Sequence, residues 1–174
     1  MPEPHGTANP TAAPPDPTVV LALDVGEARI GLARGELGAR FAFGRGTLPR
    51  SGRQADDVAA VAAAAAAEGA GLILVGLPLR AQGGDSAQTQ RVRAFAAALQ
   101  AAGLTVELLD ERFTTALAQR QLARSGLPRG KRREKGRVDE AAAIAILETY
   151  LARHAEIAGT VSGRPAAEPE EPGS

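Results

Sequence analysis

Four carboxylates stand where apolar runs of this sequence stop. Asp24 closes the run "LALD" and is followed by "VGEARIGLARGE"; Asp110 and Glu111 close "LTVELLDE"; Asp139 opens the last periodic stretch, "VDEAAAIAILETYL". Each has an ordinary explanation. Asp24 can be a turn residue before Gly26, and Asp110 and Glu111 a solvated strand end. Asp139 can complement a helix dipole for about 0.3–1 kcal/mol. Taken together they suggest chemistry. If the strands that end at Asp24 and Asp110 are neighbours, those ends lie about 4.8 Å apart. Two or three carboxylates that close raise each other's pKa and destabilise the fold, and a divalent cation removes the cost. The chain has no cysteine, and its two histidines are His5 and His154. A site built from what remains offers hard oxygen ligands, which suit Mg²⁺ or Mn²⁺.

Other residues fit a phosphate-bearing substrate. Gly26 puts no side chain above Asp24, so a phosphate backbone can approach there. Gly83 and Gly84 precede a helix start and can cradle a phosphate at its N-terminus. Arg112 follows the acidic pair and either stabilises charge on phosphorus or forms a salt bridge. From Arg112 to Arg137 nine bases stand against Glu134 alone, among them Arg129, Lys131, Arg132, Arg133, Lys135 and Arg137. A solvated face normally mixes signs, so this run reads as a binding surface for a nucleic-acid backbone. The ordered part holds few aromatics (Phe41, Phe43, Phe95, Phe113 and Tyr150), several of them core-like, which disfavours a base-stacking platform. Recognition should then rest on shape and phosphates and be strongly salt-dependent.

These residues need a scaffold. The 174 residues suggest one domain. The tails, 1–17 and 157–174, are rich in Pro, Gly, Ala and Glu and read as disordered; a domain over residues 18–156 lies between them. The formal net charge is zero, yet without the tails 15 acidic and 19 basic residues remain. The absence of cysteine excludes thiol nucleophiles, disulfides and thiolate metal sites, and fits a reducing compartment such as the cytoplasm. Histidine-based acid–base chemistry is disfavoured, since both histidines read as solvated. No apolar stretch approaches the ~18 residues of a membrane span, and the N-terminus lacks the features of a secretory signal.

Val19–Val25 reads as a buried strand with a hairpin partner in "ARIGLARGE", and Ala39–Leu48 as a third strand with Phe41 and Phe43 on one face. "QADDVAAVAAAAAAEG" reads as a helix stopped by Gly69. Gly71–Leu77 has the short apolar character of a central parallel strand. A helix capped by Asp85 or Ser86 runs to Ala101, and Leu104–Asp110 is the next strand. A helix capped by Thr114 or Thr115 should reach Ser125, "GLPRGKRREKG" reads as a basic loop, and the last helix spans Arg137–Glu156. This order implies an α/β fold: a mixed five-stranded sheet, three antiparallel strands and then parallel ones, with helices on both faces. Ligands of such sheets gather at the carboxyl ends of the parallel strands.

Four segments, "ALDVGEARIGLA", "ILVGLPLRAQGG", "LLDERFTTALAQRQL" and "VDEAAAIAILETYL", resemble in order and spacing the signatures of the YqgF family. This family, also called RuvX, comprises pre-16S rRNA nucleases that are similar to Holliday junction resolvases. The resemblance spans Leu21–Leu151. It implies an RNase H-like fold and a metal-dependent nuclease that matures the 5′ end of 16S rRNA in the cytoplasm. It assigns metal binding and catalysis to Asp24, Glu111 and Asp139, with Asp110 as a further ligand or a supporting group. Arg80 and Gln82 depart from the Asn and Asp that relatives commonly carry there. The partners implied are structured RNA and a pre-ribosomal particle, with branched DNA as the alternative substrate, the protein acting as a monomer or homodimer. Two other classes fit parts of the pattern: an actin-like ATPase, which needs two such lobes, and a nucleic-acid-binding scaffold without catalysis.

Overall fold

The computed structural model describes residues 15–80, 82–114 and 132–162. Five strands, β1 (Asp16–Val25), β2 (Arg29–Glu36), β3 (Phe43–Pro49), β4 (Ala70–Leu77) and β5 (Val106–Asp110), form one sheet in the order β3-β2-β1-β4-β5. The pairs β1–β2 and β2–β3 are antiparallel, and β1–β4 and β4–β5 parallel. The mixed sheet is thus the expected one. The condition for the ends of β1 and β5 to lie side by side is not met: the two strands are not neighbours, because β4 runs between them. Strand periodicity carries no information about which strands adjoin, so only the fold could decide this.

β1 is buried on both faces from Val19 to Val25, as a central strand must be. Leu21, Leu23 and Val25 face one core with Ile73, Val75, Val61, Val92, Phe95 and Leu99. Helices α1 (Gln54–Glu68) and α2 (Ala87–Ala101) cover that side. α1 carries Asp56 and Asp57 in its first turn, where they complement its dipole, and ends at Gly69 in the left-handed region (φ 67°). Ser86 and Thr89 form a reciprocal capping box that starts α2. Val20 and Ala22 face the other way, into a second core with Ala33, Leu72, Leu74 and the helix α3 (Arg132–Ser162). Helices therefore pack on both faces.

α3 differs from the expectation at both ends. Its 31 residues start five positions before Arg137 and continue past Glu156. The charged run before Arg137 is helical because Arg, Lys and Glu are good helix formers, and a charge run is no helix breaker. Arg132, Arg133 and Lys135 therefore stand in a helix, not in a loop. The third strand begins at Phe43 rather than Ala39. Phe95 and Tyr150 are core, but Phe41, just before β3, and Phe43, its first residue, are exposed. The expected helix between Thr115 and Ser125, and Arg129 and Lys131, lie outside the described residues.

Candidate active site

Alternation along β1 gives Asp24 the same face as Val20 and Ala22, the face that α3 covers. Asp24 is 6% exposed. Its neighbours in the sheet are glycines. Gly31 of β2 is its antiparallel register partner. On the other side Leu23 pairs with Val75, and one further residue along sets Asp24 beside Gly76 of β4. A glycine inside a strand weakens it and often marks a close approach by another group, and both glycines here do so.

A Cβ on Gly31 would collide with the backbone carbonyl of Asp139, so α3 rests directly on β2 at that residue. A Cβ on Gly76 would stand 2.6 Å from Oε1 of Glu111 and 2.5 Å from Cδ1 of Ile146. Glu111, 3% exposed, opens a 3-10 turn (Glu111–Phe113) directly after β5. It reaches back over the intervening strand through the space Gly76 leaves. The gap that β4 opens between β1 and β5 is thus bridged by a side chain and a missing one. Glu140 fixes the same region from the far side, accepting from the Gly46 N–H of β3 at 2.8 Å.

The fold sets three acid positions along one face of the sheet: Asp24 at the end of β1, Glu111 reaching to Gly76, and the backbone of Asp139 over Gly31. All three offer hard oxygens, the donor set of Mg²⁺ or Mn²⁺. The Gly76 cradle fits such a centre. Among the described residues, no group of three or more acidic or histidine side chains is already drawn close enough to hold one ion. The donor chemistry, three carboxylates without a thiol or imidazole, is the kind such an ion takes.

Asp110 has its own partner. Arg112 donates to it through Nε (2.9 and 3.1 Å) and Nη2 (2.6 Å), and through its backbone N–H (2.9 Å). The Arg112 side chain, foremost, holds the Asp110 carboxyl below its usual value, and Asp110 in turn raises Arg112. Arg112 is thereby fixed beside Glu111. Arg137 is exposed on α3, at the edge of the same face; the side chains of Arg132, Arg133 and Lys135 lie outside the described residues. A Cβ on Gly26 would meet the Arg29 carbonyl at 2.9 Å, so its smallness serves the β1–β2 turn itself. Gly83 and Gly84 have φ of 79° and 98°, with no atom within 4 Å of where a Cβ would stand. The close approaches at Gly31 and Gly76 and the Glu140 contact were not foreseen. The available signal was a glycine inside each of two apolar strands, "RIGLA" and "LVGL".

Comparison with known proteins places the chain in a family. A family model described as "RuvX: Holliday junction resolvase" matches residues 18–153. A "Putative pre-16S rRNA nuclease" of Thermus thermophilus is 52% identical over 132 residues, 76% of this chain and 96% of that protein. "Ribonuclease YqgF" of Deinococcus radiodurans is 44% identical over 146 residues, 84% of this chain and 96% of that protein. The structure of T. thermophilus RuvC in complex with Holliday junction substrate aligns over 81% of this chain and 96% of that one, with TM-score 0.50 and 18% identity, a likeness of fold. The fold is RNase H-like, and the chain belongs to the RuvX family, also named YqgF.

Proposed function

We infer that this protein is a nuclease that hydrolyses phosphodiester bonds in structured nucleic acid, and we propose pre-16S rRNA as its substrate, cut at the 5′ end. The observation that carries the reading is the buried Glu111 carboxylate occupying the side-chain space of Gly76, beside buried Asp24 and beneath the helix that bears Asp139. Packing alone gives no reason to bring carboxylates together on a sheet face that is otherwise apolar. The relatives' names supply the substrate. In this reading the protein works in the cytoplasm, on a pre-ribosomal particle.

Asp24, Glu111 and Asp139 would hold Mg²⁺ or Mn²⁺, which when bound activates water and stabilises the leaving oxygen. Of the two roles open to Asp110, we assign it the supporting one: it orients Arg112, whose guanidinium then faces developing charge on the phosphate. Arg137 and the basic segment Arg129–Lys135 hold the substrate backbone without reading bases. Gly83 and Gly84 leave room for a phosphate ahead of α2.

The family description favours a second substrate, a branched DNA junction. Incubating the purified protein with a pre-16S 5′-leader RNA and with a four-way DNA junction, each with Mg²⁺ and with Mn²⁺, separates the two. The expected result is metal-dependent cleavage of the RNA at its 5′ leader. Preferential junction cleavage would replace the substrate, and binding without cleavage under either ion would leave only a scaffold.

A further inference from the structure

The carbonyls of Val25 and Gly26, the two residues after Asp24, each accept a hydrogen bond from a side chain outside the site described so far. On one side is Arg50, directly after β3. Its backbone N–H donates to the Ala28 carbonyl (3.0 Å) and its Nη1 to the Gly26 carbonyl (3.2 Å). Its Nε pairs with Oδ2 of Asp57 at 3.0 Å, and its guanidinium lies 5.3 Å from the Phe95 ring centre. The Asp57 side chain is 2% exposed, and it also accepts from the Ser51 N–H (2.8 Å) and hydroxyl (2.9 Å). On the other side, Gln88 in the first turn of α2 donates from Nε2 to the Val25 carbonyl at 3.0 Å. Its neighbour Thr89 donates to the Pro78 carbonyl, which ties the same turn of α2 to the end of β4.

Two helices on the far face of the sheet thus grip the backbone just behind Asp24. A core-filling role would not need this chemistry: Leu or Met would pack against Phe95 without a buried partner such as Asp57. An Arg can span Asp57 and the Gly26 carbonyl at once because its donors are splayed in a rigid fork. We propose that Arg50, anchored by Asp57, and Gln88 are positioning residues that fix the Asp24 backbone so that its carboxylate meets Glu111 and Asp139 around one ion. The proposal rests on the nuclease reading above.

Two variants of the full chain test it. Arg50→Lys keeps the charge opposite Asp57 but cannot reach both partners; Gln88→Leu removes a single donor. Amide exchange reads the tether directly. The Gly26 and Arg50 amides are expected to exchange about five- to tenfold faster, the loss of one hydrogen bond, with Leu21 and Leu23 unchanged. Cleavage of the leader RNA over a range of Mn²⁺ concentrations reads the consequence. The expected result is a kcat about ten- to a hundredfold lower, more Mn²⁺ needed for half-activation, and an unchanged KM for RNA. Variants that cleave like the wild type overturn the proposal and leave the nuclease reading intact. So does a loss of cleavage accompanied by faster exchange at Leu21 and Leu23, which marks a general loss of stability. A wild-type protein that cleaves nothing fails at the earlier step and takes the proposal down with it.

Discussion

Asp24 and Glu111 are among the few buried charged side chains of the described residues, and the ion they are proposed to share makes two predictions separable. Losing a metal ligand forfeits several kcal/mol of charge stabilisation, so Asp24→Asn should slow Mn²⁺-dependent cleavage by about a thousandfold or more. An ion that binds only the folded chain stabilises it by about 2.7 kcal/mol at a hundred times its Kd, about 5–10 °C in Tm for a chain of this size. Scanning calorimetry with and without Mn²⁺ should show that shift in the wild type and lose it in Asp24→Asn; a surviving shift would move the ion elsewhere. Asp57 carries a pH prediction of opposite origin. Burial pushes its carboxyl up, but the Ser51 N–H, the Arg50 guanidinium and the Ser51 hydroxyl outweigh burial and hold it below the usual value. A group lowered on folding contributes stability that is full above its unfolded pKa, about 3.9, and that fades as pH falls through its folded value. Melting curves should show a constant deficit for Asp57→Asn from pH 5 to 8, shrinking only below about pH 4.

Element packing brings Glu111 to Gly76 and the Asp139 backbone to Gly31, and the glycines in the strands are the means. Gly76→Ala pushes against the far ends of two flexible side chains, Ile146 and Glu111. It should cost about 1–2 kcal/mol in stability but displace the Glu111 carboxylate and cut kcat about a hundredfold. Gly31→Ala pushes against the Asp139 backbone, which cannot rotate away, so α3 itself must lift off β2. It should lose both activity and about 3 kcal/mol or more. Urea melts paired with cleavage assays distinguish the two patterns; equal stability losses would mean that Glu111 does not sit over Gly76. The same glycines mark the border of what was legible beforehand. Strand ends announce themselves locally, so Asp24 and Glu111 could be picked out as acids after apolar runs. Asp139 was singled out as a helix-start acid, but α3 begins at Arg132 and sets it two turns inside the helix, where a dipole role does not apply. Neighbour relations between strands are non-local, and nothing in "GLILVGL" told that this strand would divide β1 from β5. A carboxylate reaching over a glycine was therefore invisible, although the glycine itself was in plain view. The start of α3 was missed for a different reason. Arg, Lys and Glu serve exposed helix and loop equally well, and the segment before Arg137 has no apolar period to separate them.

On the scale of the whole molecule, a formal net charge of zero would argue against a polyanionic partner if charge were evenly spread. It is not: the bases crowd between Arg112 and Arg137, whereas acids dominate both ends of the chain. Binding driven by such a segment releases counterions, and log K then falls linearly with log salt, by about 0.7 per phosphate on a single strand and about 0.9 on a B-form duplex. Replacing Arg132, Arg133, Lys135 and Arg137 together by Ala should flatten that slope by about 3 if each meets one phosphate. The loss should be uniform across substrates of different sequence, because phosphate contacts set register and orientation but read no bases. It should also spare kcat at saturating substrate, since the acids that hold the ion are untouched. Fluorescence anisotropy of one RNA at several salt concentrations, followed by single-turnover cleavage, measures both quantities on the same variant. A slope that stays steep would show that the phosphates are held elsewhere. A slope that flattens while kcat collapses would tie α3 to the chemistry itself, because the helix that starts with these bases carries Asp139 less than one turn beyond Arg137.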